Sequence, residues 1–133
     1  MPRQPGTGGL TMQTLQQQRA KAALESITGL KGHPDADKLV SRASELPFMI
    51  HVNGLGQAAA FFKSKQNKDG YGVMYKVLSD WLIQPDRPFA GHSDLMRAIV
   101  GSELRTYRVA QAEAMQYMDW VKKFAKAYLA KES

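Results

Sequence analysis

A chain of 133 residues with no cysteine and a formal charge of +6 is long enough for one domain with its own core. The missing cysteine excludes disulfide staples, thiol catalysis and cysteine-ligated zinc. No apolar run approaches the ~20 residues of a membrane span and no signal-peptide core opens the chain, so a cytoplasmic protein is expected. The basic balance, with a pI near 9.7, makes a nucleic acid or an acidic protein the first partner to weigh.

Residues 1–10, MPRQPGTGGL, are rich in proline and glycine and are expected to be a disordered tail, leaving 11–133 as a helical domain. A first helix is predicted from Thr11 to Thr28, with Ala20, Ala23, Leu24 and Ile27 on one face; Gly29 and Gly32 end it. Pro34, Asp35 and Asp37 open a second, because proline suits a first turn and acids favour the N-terminal dipole. Its apolar side is Leu39, Val40, Ala43 and Leu46, and Pro47 is expected to break or kink it.

The next stretch, PFMIHVNGLGQAAAFF at 47–62, has two readings. Phe48–Val52 followed by Gly54-Leu-Gly56-Gln-Ala-Ala59 matches the dinucleotide fingerprint G-x-G-x-x-G/A. That motif requires a strand before it, an acidic residue ~20 positions on and further parallel strands; here Met74, Tyr75 and Lys76 occupy that place. Against it, Phe48, Val52, Leu55, Ala59 and Phe62 recur at helical spacing straight through both glycines. A second apolar row, Ile50, Gly54, Gln57 and Phe61, lies opposite, and a small-residue row, Asn53, Gly56 and Ala60, lies between them. Residues 48–66 therefore read as one helix sandwiched inside a bundle. Asn53, Gly54, Gly56 and Ala60 would let another helix come close, a reason to accept glycine's cost of ~1 kcal/mol per residue.

Asn67-Lys68-Asp69-Gly70 is a turn. Tyr71, Met74, Tyr75, Leu78, Trp81 and Leu82 make an amphipathic helix that Pro85 stops. A loop, DRPFAGH, leads to Ser93 or Asp94, which caps a short helix through Val100. The longest helix follows, from about Glu103 to Ala130, roughly 42 Å long. No run alternates with strand period, so the fold class is all-α, a single-domain bundle of about six helices.

The residues offer little chemistry. His33, His51 and His92 share no helical face, and no Gly-x-Ser-x-Gly elbow is present. Glu113 and Asp119 read as polar residues tempering a basic face of the last helix. No enzyme, cofactor or metal site is expected. The last helix has a core stripe of Tyr107, Ala110, Ala114, Tyr117, Met118, Val121, Ala125 and Tyr128. Nearly opposite, Arg105, Arg108, Lys123 and Lys126 fall within about 60° of one another in projection. Trp120 sits on that polar side, where it could cover a neighbouring helix, pack on a partner or stack on a base. Lys63, Lys65 and Lys68 form a second cluster, which also suits a helix C-terminus electrostatically. Should the two clusters meet, they would make a polyanion track.

Three segments, LPFMIHVNGLGQAAAFFKSK (46–65), YKVLSDWL (75–82) and YRVAQAEAMQYMDWVKKFAKAYL (107–129), carry a family likeness. With their Asn-Gly-Leu-Gly-Gln core and Trp-Val-Lys-Lys-Phe-Ala ending, the chain resembles the small helical subunit of the Cmr complex, the type III-B CRISPR effector that targets RNA. Gln111 departs from the family, where threonine is more usual, and touches no assumed chemistry. The resemblance implies a subunit that stacks in a short filament along the backbone subunits holding the guide RNA. It would contact the target strand without cutting it, since cleavage belongs to the backbone and large subunits. On this reading the chain is a non-catalytic RNA-binding scaffold, with Lys63, Lys65, Lys68, Arg105, Arg108, Lys122, Lys123 and Lys126 on phosphates. The rival reading is a purely structural adaptor whose basic faces meet acidic subunit surfaces; a metal-dependent nuclease ranks last.

Overall fold

The computed structural model describes residues 13–130, which form six helices: α1 Leu15–Thr28, α2 Ala36–Asn53, α3 Leu55–Ser64, α4 Tyr71–Leu82, α5 Leu95–Gly101 and α6 Leu104–Tyr128. The tail expected at 1–10 lies outside the described residues. The all-α bundle with a long last helix is the architecture expected from the sequence, and among the described residues there is no strand.

α1 starts later than Thr11 because Thr14 and Gln17 form a reciprocal capping box, satisfying two backbone donors that a helix start would otherwise leave open. α6 is the axis of the bundle. α1 lies along it in the same direction, with Arg19 on Glu113 and Lys31 over the Tyr128 ring near its far end. α2 runs the opposite way. Its Pro47 and His51 share a groove with Met115 and Lys122, and Gly54, which caps its C-terminal end, comes up against Gln111 and Tyr107. α3 and α4 pack on α2, and α5 closes on α3.

Of the break or kink expected at Pro47 the break does not occur, and the single helix expected over 48–66 does not form. Pro47 does not end the second helix; it lies buried within α2. Its missing N–H costs one rung, but Leu39, Ala43, Leu46 and Ile50 keep a single buried stripe across it, and that burial outweighs the lost bond. The break comes at Gly54 instead, with φ 88° and ψ 159°, a region essentially reserved for glycine.

Residues 48–66 are therefore not one helix but the end of α2, an elbow, and α3. The elbow resets the helical phase. Phe48 and Val52, expected inside, are 69% and 59% exposed, whereas Leu55, Ala59 and Phe62 of the same row are buried. In the second row Ile50 is buried and Gln57 is exposed, so the sandwich does not form. Of the close-packing set, Gly54 and Gly56 do approach α6, each placing a notional Cβ against the Tyr107 hydroxyl at about 3.5 and 3.4 Å. Asn53 and Ala60 face solvent.

The core stripe of α6 is buried from Ala110 to Ala125, but Tyr128 is largely exposed. Glu113, expected on the polar face, is buried. Its carboxylate accepts from Arg19 Nε at 2.7 Å and Nη2 at 2.8 Å, and from Trp81 Nε1 at 2.9 Å. Trp81 in turn stacks on Tyr117 at 4.8 Å with the planes 7° apart, and the Arg87 guanidinium lies over the same indole. Burial works against ionisation of Glu113, but the bonds from Arg19 and Trp81 and the nearby positive charge hold it below its ordinary range.

Candidate nucleic-acid interface

The glycine motif does sit at a helix N-terminus, the place where a phosphate loop would present free amides. The amides of Gly54, Leu55 and Gly56 are taken. Leu55 N donates to Gln111 Oε1 and Gly56 N donates to the Tyr107 hydroxyl, both at 2.9 Å, while Gly54 N closes the last turn of α2 on the Ile50 carbonyl at 2.8 Å. Two α6 side chains thus cap α3 and lock the elbow. Gln111, the departure from the family pattern that touches no assumed chemistry, supplies one of these bonds. The available signal was a glutamine bordering the α6 core stripe, where a polar atom needs a partner.

The basic residues divide into three groups. At the end of α3, the Lys63 ammonium lies 5.1 Å from the Tyr75 ring centre, and Lys65 lies 5.2 and 5.7 Å from those of Phe61 and Tyr71. Phe61, Phe62 and Tyr71 pack edge-to-face beneath them, so these lysines cover aromatic faces while keeping their charge in water. Lys68 is exposed in the following turn. Beside it Asp69 is bound to Lys38 at 2.8 Å, which holds Asp69 below its ordinary range.

A polar cleft of about 270 Å³ opens next to this group, lined in part by Lys63, Lys76, Ser93 and Asp94. Its charges are mixed. Tyr75 donates to Asp94 at 2.8 Å, and Asp94 also caps α5 through Met96 N at 3.0 Å. Burial and that bond to Asp94 raise the phenol of Tyr75.

The other two groups are on α6. Arg105 and Arg108 occupy its first turns and Lys122, Lys123 and Lys126 its last ones. The projection that clusters them is real, but Arg108 and Lys123 stand about 22 Å apart along the axis at ~1.5 Å per residue. Lys123 is paired with Asp119 at 2.9 Å. Arg105, Arg108 and Lys126 are exposed and have no ion pair among the described residues. Lys122 is half-buried in the groove against α2. The α3 lysines make their ring contacts within α3 and with α4, and none of the described contacts joins them to the α6 cations. Trp120 lies on α1, donating from Nε1 to Gln16 Oε1 at 3.0 Å and resting on Phe124.

Sequence reasoning missed the exposed apolar residues. Besides Phe48 and Val52, they include Val100 near the end of α5 and Leu104 and Val109 at the start of α6. Among the described residues no three His, Asp or Glu side chains gather as a metal site would require. The surface of the described residues thus presents both unpaired basic side chains and apolar side chains to solvent. A family model of CRISPR-associated proteins, Cas_Cmr5, matches residues 15–128, from the first residue of α1 to the last of α6; the chain belongs to that family, the small subunits of the Cmr type III-B CRISPR complex.

Proposed function

We propose that the chain is a non-catalytic scaffold of the RNA-targeting effector, cytoplasmic, that stacks on further copies of itself and on the backbone and large subunits and contacts guide–target RNA through basic helix faces. Family membership implies a complex with other Cmr subunits. The observation that carries the RNA contact is the outer face of α6, where Arg105, Arg108 and Lys126 are exposed without a carboxylate partner among the described residues. The charge of +6 favours a polyanion over several ångströms. Base pairing with the guide would supply sequence specificity, leaving these residues to read backbone and shape.

Reversing Arg105, Arg108, Lys123 and Lys126 to glutamate, in the assembled complex, should weaken retention of target RNA and flatten its dependence on salt, because each lost phosphate contact removes released counterions. Retention at the wild-type level across the salt series would refute the RNA role. A purely structural adaptor remains a second reading, favoured by the exposed Val100, Leu104 and Val109. Crosslinking RNA to the assembled complex separates the two, since an adaptor yields no adduct on this chain.

A further inference from the structure

One groove combines features that neither a water-facing surface nor a core explains. Phe48 and Val52, one turn apart on α2, expose most of their side chains. Beside them, between α2 and α6, a cavity of about 240 Å³ is lined by Pro47, Phe48, His51, Met115, Asp119 and Lys122, together with one serine. The acid in this set is compensated: Asp119 is bound by Lys123 at 2.9 Å, so Lys122 carries the groove's net charge.

Along α6, Arg108, Met115, Lys122 and Lys126 follow at intervals of seven, seven and four, which places them on one side of a helix. That side is ~27 Å long from Arg108 to Lys126. Positive charge therefore stands at both ends of an apolar centre from which a ring projects.

We propose that this groove is a subsite for a single-stranded RNA segment, with one unpaired base stacked on Phe48 and the flanking phosphates held by Lys122 and Lys126 on one side and Arg108 on the other. The inference rests on the RNA-contact reading above and names the place and the chemistry of the contact. An aromatic face accepts any base, so the subsite is indifferent to sequence, as a subunit that leaves sequence to a guide requires. Its volume falls below the roughly 300–1,000 Å³ of a typical small-molecule pocket. It suits a ring-sized group rather than a packed helix.

The test uses the assembled complex loaded with target RNA carrying iodouridine, irradiated, with adducts mapped by mass spectrometry. An adduct at Phe48 is expected, falling roughly tenfold in yield in Phe48→Ala, as loss of one stacked base would give, and retained in Phe48→Trp. The thermal midpoint of the isolated chain should not move in either variant. Adducts confined to other residues of this chain would overturn the subsite and leave the RNA contact standing. No adduct anywhere on the chain would overturn both. Phe48→p-benzoylphenylalanine, irradiated in the same complex, should crosslink to RNA; a crosslink to a protein subunit or a second copy in its place would assign the groove to that partner and overturn the proposal.

Discussion

Glu113→Gln keeps the shape of a buried side chain and removes its charge. In the native fold this carboxylate accepts from Arg19 at 2.7 and 2.8 Å and from Trp81 at 2.9 Å, with the two charged side chains only 12% and 9% exposed. Solvent screens such a pair weakly, and removing one partner strands the other, a change that costs about 3–5 kcal/mol in buried pairs. The amide still accepts one bond and Arg19 keeps some contact with water, so the lower figure, about 3 kcal/mol, is expected at neutral pH. For a chain of this size that lowers the thermal midpoint by on the order of 10 °C.

The pH dependence has a definite sign. Glu113 is held below its ordinary value of 4.5 in the fold, so its contribution is fully present above 4.5 and is lost as pH falls through the lower folded value. Midpoints of wild type and Glu113→Gln, followed by circular dichroism from neutral to acid pH, should be far apart above 4.5 and converge below it. Equal midpoints at neutral pH, or a gap that persists unchanged into acid, would refute the assignment.

Two further substitutions probe the elbow. Gly54→Ala meets no serious clash, since the nearest atoms to an added Cβ are 3.5 Å away, but φ of 88° strains any other residue. A loss of about 1–3 kcal/mol is expected in urea unfolding, and a neutral result would show that the α2–α3 break is not fixed by this backbone geometry. Gln111→Ala and Tyr107→Phe each strip one cap from α3, at about 1 kcal/mol apiece. Because both brace one elbow, their double-mutant cycle should show coupling; strict additivity would mean the two bonds act independently.

The helices of this chain were legible because they obey local rules. Asp94 caps α5, Pro34 and Asp35 precede α2 with Asp37 in its first turn, and the three-and-four spacing of α4 and α6 survives as buried stripes. The 47–62 stretch was not legible to the same degree. Periodicity runs unbroken from Phe48 to Phe62, yet the backbone turns at Gly54, because Gln111 and Tyr107, more than fifty residues away, satisfy the amides that the turn frees. Pro47 carried the strongest local stop signal and was overruled by the buried stripe on either side of it.

The candidate site divides along the same line. Which residues are basic, and that they share a side of α6 in projection, followed from composition and the helical repeat alone. Their separation into distant pairs, the folding of Lys63 and Lys65 over aromatic rings, the burial of Glu113 and the exposure of Phe48 were decided only by how the helices pack. A helix's period follows from its own backbone. Whether a given face meets protein or water depends on the neighbour that the chain brings to it, and that neighbour is set by contacts across the whole molecule.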